Sequence, residues 1–410
     1  MNRLAIPLQG AQMLFVAFGA LVLMPLLTGL DTNVALFTAG LGTLLFQLVT
    51  RRQIPIFLAS SFAFIAPILY GVQTWGIPST MGGLMAAGCV YLILASLVKV
   101  RGDGFIKRLL PPVVVGPVII VIGLGLAPVA VNMALGKSGD GSLVLVDGSV
   151  ALMISLASLL STIAVAIFAK GVAKLMPILA GIIVGYSLSL TMGIVDFTPV
   201  HNANWFAIPS FVAPEFNWHA IAFMIPVAIA PAVEHIGDIL AISNVTGKDY
   251  MKKPGLHRTL SGDGIATIAA SALGGPPNTT YSEVTGAVTL TKSFNPRIMT
   301  WTAITAITLA FVGKLGALMQ TIPIPVMGGI MCLLFGSIAA VGLNSLIKNQ
   351  IDMGEPRNLC IVGVTLVFGI GGMAFGIGSF SLTGISLCGI VAITMNLLLP
   401  ATKPEAALTE

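Results

Sequence analysis

The chain has 410 residues, 56% of them hydrophobic and only 9% charged, where soluble domains carry about a quarter charged residues. That balance excludes an ordinary soluble domain and points to one integral membrane domain with short loops. The net charge of +5 does not indicate nucleic acid as a partner, because the basic residues are scattered in ones to threes along the chain instead of gathered on one face.

Taken in chain order, runs of about 17 to 25 apolar residues predict helices near 11–29, 34–50, 55–72, 79–99, 109–128, 150–169, 175–193, 219–241, 258–273, 277–293, 297–315, 321–346, 357–373 and 379–399. Only Arg3 precedes the first run, and no small-residue cleavage site with a polar start follows it, so it reads as the first span and not as a removed leader. With alternate loops on opposite sides and the N-terminus inside, all of the 20 Lys and Arg except Lys137 and Lys314 fall on the cytoplasmic side, as the positive-inside rule requires. An odd number of missed spans would scramble this pattern. Both termini are therefore expected in the cytoplasm, with the chain multi-pass in the inner membrane. Cys89, Cys332, Cys360 and Cys388 all fall inside apolar runs without paired spacing, so neither a disulfide nor a metal is expected, and no cofactor.

The segment "LPPVVVGPVIIVIG" places Pro112, Gly116 and Gly123 at the start of the fifth span, and "IPIPVMGGIMCLLFG" places Pro325, Gly329 and Gly336 at the start of the twelfth, each 213 residues later. Seven spans between the copies would give them opposite orientations, the mark of an inverted repeat; a chance match of two Pro- and Gly-bearing helices is the competing reading. The third and tenth spans, at equivalent positions in the two halves, look unable to be continuous helices. The third opens at Pro55 and carries Ser60 and Ser61; the tenth runs Gly274, Gly275, Pro276, Pro277, Asn278, Thr279, Thr280. Prolines lack an amide hydrogen, and short polar side chains compete for backbone hydrogen bonds, so extended backbone is expected in both. Broken segments at equivalent places in inverted halves point to a transporter's binding site, against re-entrant segments without a ligand.

Four of the 15 acidic residues lie inside apolar spans: Glu234, Asp238, Asp263 and Glu283. An ionised side chain at mid-bilayer costs about 2.5–3.5 kcal/mol on insertion scales, and such residues usually mark a pathway or site. No Lys or Arg lies in the interior of their spans, Arg258 and Lys292 standing only at span ends, so they must be protonated, hydrogen-bonded or both, which is the property a proton carrier needs. Glu234 and Asp238, four apart, project from one helix face one turn apart, and they also admit a packing role bonded to Ser, Thr or backbone. His235, on the neighbouring face, reads as a structural hydrogen bonder. Asp263, between Gly262 and Gly264, reads equally as a helix cap.

The motifs "AVEHIGD", "GGPPNTTYSEVTGAVTLTK", "PGLHRTLSGDG", "SSFAFIAP" and "IPIPVMGGI" together resemble the nucleobase/ascorbate transporter family, most closely its bacterial uracil-permease branch, over essentially the whole chain. The resemblance implies an all-α polytopic membrane protein of 14 transmembrane segments in a 7+7 inverted repeat, with short antiparallel β-strands in the broken spans three and ten. It divides the chain into a core subdomain, about 1–100 and 215–316 (spans one to four and eight to eleven), and a gate subdomain, about 105–195 and 320–400 (spans five to seven and twelve to fourteen). Carried over residue by residue, Glu234 and Glu283 match the carboxylates that accept from the ring N–H groups of a uracil-like base. The backbone amides of Phe62 and Ser282, beside Ser61, are placed to meet its carbonyls, and Phe62, Tyr281 and Phe335 surround the ring. Proton coupling falls to Glu234, Asp238, Glu283 and Asp263. Three departures stand out. Asp238 replaces the His of uracil permeases and, with Asp263, resembles the xanthine and urate carriers; Val284 replaces the family's Asn; and Ser282 replaces Gly. Glu283 is the uracil-type choice.

The expected function is secondary active import of a nucleobase, uracil first, with protons and by alternating access of core against gate; a homodimer in membrane lipid is the expected assembly. A xanthine or urate symporter of the same family is the alternative. A sulfate-carrier-type anion transporter or channel is more distant, because an acidic site repels anions and the tail after about Pro400 is short. An enzyme is not expected: "EHIGD" lacks the paired His of zinc proteases.

Overall fold

The computed structural model describes residues 5–102, 104, 108–377 and 380–400. Arg3, Lys107 and Lys403, three of the basic residues that orient the chain in the sequence reading, lie outside these.

Helices α1 (Ala5–Thr28) and α2 (Thr32–Val49) open the chain. They are separated because Gly29 adopts φ 74° and Asp31 caps α2, its carboxylate accepting from the amides of Asn33 and Val34 at 2.7 and 3.0 Å. Strand β1 (Leu58–Ser60) and a 3-10 turn (Phe62–Phe64) follow, and α3 (Ile65–Arg101) then runs to the next surface. Prediction and structure differ here. The third span is not helical from Pro55, and the third and fourth spans share one element broken only at Gly76, φ 78° and ψ 170°, two residues before Pro78. Next come α4 (Pro112–Gly125), α5 (Ala127–Ala134), α6 (Gly148–Phe168) and α7 (Pro177–Thr191).

The second half begins with α8 (Trp218–Val227) and α9 (Ile229–Thr246), two pieces of one predicted span interrupted at Ala228. Pro231, in the first turn of α9, lacks the amide that would bond Val227 O at the end of α8. Helix α10 (Leu256–Ala272), strand β2 (Asn278–Thr280), α11 (Ser282–Thr291), α12 (Pro296–Ala310), α13 (Gly313–Gln320), α14 (Ile324–Lys348) and α15 (Pro356–Ile370) follow. Strands β3 (Ala374–Ile377) and β4 (Phe380–Thr383) then lead into α16 (Gly384–Leu398). The β3–β4 hairpin was not predicted; its second strand occupies what the sequence reading took as the start of the last span.

Seven of the described helices are long and apolar enough to cross a membrane, among them the 40-residue stretch Phe62–Arg101, twice the length one crossing needs. Packing falls into two groups. Helix α3 lies on α10 and α8, α2 lies on α10 and α12, and α1 lies on α12; separately, α4, α5 and α6 lie on α14, and α15 lies on α4 and α16. Close backbone approach makes the first group possible. A Cβ on Gly264 of α10 would sit 2.9 Å from the carbonyl oxygen of Gly88 and 2.9 Å from Tyr91 Cβ on α3, the small-residue contact that lets membrane helices meet without a hydrophobic drive. The glycines that align in the two "P…G…G" motifs do different work. Gly116 meets Gly342 and Leu346, Gly329 meets the backbone of Ser155, and a Cβ on Gly336 would point into open space.

Candidate functional site

The two interrupted segments meet. Strands β1 and β2 pair antiparallel, Leu58 opposite Thr280, Ala59 opposite Thr279 and Ser60 opposite Asn278. One further bond extends each end of the ladder, Ser61 N–H to Pro277 O at 2.8 Å and Tyr281 N–H to Phe57 O at 3.3 Å. Two strands alone leave both outer edges bare, which is intolerable at membrane depth unless side chains cover them. Threonines supply the cover. Thr43 Oγ1 on α2 accepts from Leu58 N–H at 2.9 Å and donates to Leu58 O at 3.3 Å, and Thr267 Oγ1 on α10 donates to Asn278 O at 2.8 Å. Asn278 Nδ2 donates to Thr38 O at 2.8 Å. Each strand then turns directly into a helix start, the 3-10 turn at Phe62 and α11 at Ser282. Amides at a helix start have no intrahelical partner, so both ends present donors and the positive pole of a helix dipole.

The chain enters β2 from α10 through Gly274, at φ 83°, a backbone shape that glycine adopts freely. Once in the strand, adjacent side chains point to opposite sides, and Thr279 and Thr280 use this to reach two different helices. Thr280 Oγ1 donates to Asp238 Oδ2 of α9 at 2.7 Å; Thr279 Oγ1 donates to Asp263 Oδ2 of α10 at 3.4 Å. His235 Nδ1 lies 3.4 Å from the same Asp263 oxygen, both side chains being fully buried. The ring of His235 also packs edge-on to Phe46, centroids 6.2 Å apart. The strand is thus clipped to α9 and α10 through carboxylates. The aromatic pair is close as well: the Phe62 and Tyr281 rings lie 6.2 Å apart at 34°, and Tyr281 Oη donates to Ser60 O at 2.9 Å. Phe62 packs against both large apolar clusters of the protein.

The residues singled out in the sequence do not form one uniform set. Glu234 is exposed on α9 whereas Asp238, one turn on, is buried. The helix keeps them on one side, as expected, and Thr280 of β2 bonds Asp238, so the pair divides into an exposed carboxylate and a buried one. Asp263 is no helix cap. The N-cap of α10 is Gly255, and Asp263 is buried well inside the helix. Ser61 is buried at the start of the 3-10 turn. Phe335 is buried in the apolar cluster shared by α3, α4 and α14, and among the described residues its ring makes no aromatic contact with Phe62 or Tyr281. Ser282 and Glu283 begin α11, and their side chains lie outside the described residues. The sequence names Thr279 and Thr280 as residues that open the backbone but not as partners of the carboxylates, and it gives no role to Thr43, Thr267 or Tyr91, the last buried on α3 against Gly264. For the strand threonines the signal was available: a β-branched polar pair directly before the Tyr281 helix start has period-2 geometry.

Known proteins resemble the chain along its length. Residues 5–377 match the model of the Permease family. A probable uracil permease of Pasteurella multocida is 62% identical over 96% of this chain and 93% of its own length; the uracil permease of Bacillus caldolyticus is 47% identical over 97% and 92%; that of Escherichia coli K12 is 38% identical over 96% and 92%. Among solved structures, the transmembrane domain of the cyanobacterial bicarbonate transporter BicA superposes with a TM-score of 0.64 at 14% identity, covering 97% of this chain and 98% of that one. The murine Solute Carrier 26 family member A9 anion transporter, in its inward-facing state, superposes with a TM-score of 0.72 at 12% identity, over 97% of this chain and 68% of that one. The last two likenesses establish a shared fold. With a family model over most of its residues and relatives matched nearly end to end, this multi-pass membrane chain belongs to the Permease family of nucleobase/ascorbate transporters.

Proposed function

We propose that the chain imports uracil together with protons by alternating access. The observation that carries the substrate is the end-to-end likeness to uracil permeases at 38–62% identity. The geometry supports it: an exposed carboxylate, Glu234, lies on the helix that packs against β2 and α11, and the Phe62–Tyr281 ring pair stands where the two strands end. Uracil has two ring N–H donors for carboxylates and two carbonyls for amides. In this reading Glu234 and Glu283 take the donors, the amides at Phe62 and Ser282, with Ser61 beside them, take the carbonyls, and the rings of Phe62 and Tyr281 flank the base. Phe335 closes the site only from the far side.

The same reading takes the chain as 14 spans in a 7+7 inverted repeat, termini cytoplasmic in the inner membrane. The grouping of helices 5–101 and 218–320 apart from helices 112–191 and 324–398 supports a core moving against a gate. Exposed Leu152, Leu156 and Leu160 on α6 offer a gate face to lipid or to a second copy in a homodimer. Proton coupling rests on Glu234, Asp238, Asp263 and Glu283, whose spans carry basic residues only at their ends, Arg258 and Lys292. One proton entering with a neutral base is driven by about 2.3 kcal/mol per 100 mV. Uptake of labelled uracil into proteoliposomes tests both parts: an inward proton gradient is expected to stimulate it, and an unchanged rate would remove the coupling. A xanthine or urate carrier is favoured by one observation, Asp238 and Asp263 in the purine pattern. Excess unlabelled xanthine is expected to leave uracil uptake unaffected; strong competition would reverse the assignment.

The pH dependence of uptake should not come from the outer loops. Hydrogen bonds from Ser138 and Ser142 pull the Asp140 carboxylate down from 3.8 to about 2, and Asp147 and Asp196 are lowered by the hydroxyls of Ser149 and Thr198. A depressed folded value means that any stabilisation is fully present above the usual 3.8 and is lost only as the pH falls toward 2. Asp140→Asn and Asp147→Asn are therefore expected to leave the uptake profile between about pH 5 and 8 unchanged, and a displaced midpoint would show that these loops take part.

A further inference from the structure

The motif "PGLHRTLSG" contributes a second polar feature, away from the strands. Where α2 and α3 end and α10 begins, a cavity of about 360 Å³ opens between them, within the roughly 300–1,000 Å³ span of ligand pockets. Its polar lining is Lys99 and Ser96 from α3 and His257, Arg258 and Ser261 from α10, and among the described residues no carboxylate lines it. Among the described residues neither Lys99 nor Arg258 has a carboxylate within ion-pair distance. Arg258 is half-buried, and its Nη1 makes only a long bond, 3.4 Å, to Val49 O. The two hydroxyls donate back to their own helices, Ser96 to Leu92 O at 2.8 Å and Ser261 to His257 O at 2.7 Å, so the positive charge of the cavity is not offset by the groups that line it. Gly255 provides no side-chain cap to α10, which adds the positive end of that helix to the same cavity.

We propose that this cavity binds a phosphate group. A guanidinium fork and an ammonium on neighbouring helices are the pairing that grips tetrahedral oxyanions, and partial burial without a counter-charge makes Arg258 costly until an anion arrives. Basic pockets between transmembrane helices are where anionic headgroups settle. Arg51 and Arg52 follow Thr50, the residue after the α2 end at Val49, and extend the positive field outward. The phosphate comes from an anionic phospholipid or from solution, and in either case it ties together the ends of three helices of one packing group. One of them, α10, carries Asp263. The site is independent of which base the protein transports.

The test uses the purified full-length chain in detergent, with thermal unfolding followed against added short-chain phosphatidylglycerol, phosphatidylcholine, inorganic phosphate, or chloride at matched ionic strength. Phosphatidylglycerol is expected to raise the midpoint and phosphatidylcholine and chloride not to. A matching rise with inorganic phosphate identifies the phosphate group itself as sufficient; a rise with phosphatidylglycerol alone identifies the headgroup as the source. Half-saturation should weaken about fivefold in Lys99→Gln and about 25-fold in Lys99→Gln/Arg258→Gln, from roughly a fivefold loss per basic group. Lys252→Gln/Lys253→Gln, outside the cavity, should respond as the wild type. Lys99 is exposed, so its single variant keeps the test decisive if the double variant does not fold. The proposal is overturned if neither phosphate source raises the midpoint, if Lys99→Gln responds as the wild type, or if Lys252→Gln/Lys253→Gln loses as much.

Discussion

Glu234→Gln is expected to weaken uracil binding by about 10- to 100-fold and to abolish measurable uptake. A hydrogen bond to a charged group contributes about 1.5–3 kcal/mol, and each 1.4 kcal/mol is tenfold in affinity. Gln keeps the size of the side chain and one acceptor oxygen but loses the charge and presents two N–H donors of its own, which oppose a ring N–H. Because Glu234 is exposed on α9 and glutamine fills the same volume, the variant should fold. Unfolding in detergent with and without uracil separates the two effects: the unliganded midpoint should match the wild type while the uracil-induced rise disappears. Near-normal affinity would take Glu234 out of the binding site.

Thr43→Val is expected to be the most damaging of the conservative changes around the strands. Valine matches threonine in shape, so packing of α2 is preserved, but the Leu58 amide and carbonyl both lose their cover. A buried backbone group left without a partner costs about 1–3 kcal/mol, and Leu58 is fully buried. The expected result is a lower unfolding midpoint together with weaker uracil binding, since the Phe62 helix start hangs from the end of β1. Thr43→Ser, which restores the hydroxyl, should recover both; if serine proves no better than valine, the hydroxyl is not what holds the strand.

Some of this site was legible in the chain and some was not, for reasons that differ by residue. Pro276, Pro277 and Asn278 exclude a helix by covalent structure and local hydrogen bonding, so extended backbone there could be read directly. That it pairs with Leu58–Ser60 is a contact between residues more than two hundred positions apart, and no local pattern records such a partner. Glu234 and Asp238 were legible as carboxylates one helical turn apart; their opposite exposure depends on the tertiary packing around α9, where Thr280 of β2 bonds Asp238. Asp263 shows the limit most plainly. Flanked by Gly262 and Gly264, it reads as a cap, whereas those glycines serve close helix approach and the carboxylate faces His235 and Thr279. The β3–β4 hairpin escaped for a related reason: its residues are apolar enough to pass for the start of a membrane span.

Composition and hydropathy alone determined that this is a multi-pass membrane protein, because a chain with 9% charged residues has no soluble way to fold. Proline and glycine determined where its helices break, since the missing amide and the missing Cβ act on the backbone within a few residues. The tertiary structure decided which breaks face one another, which carboxylate is sealed and which is open, and which hydroxyls close the strand edges. Those outcomes depend on distance through space between segments far apart in the chain, and in a medium without water every such polar group must find its partner inside the protein.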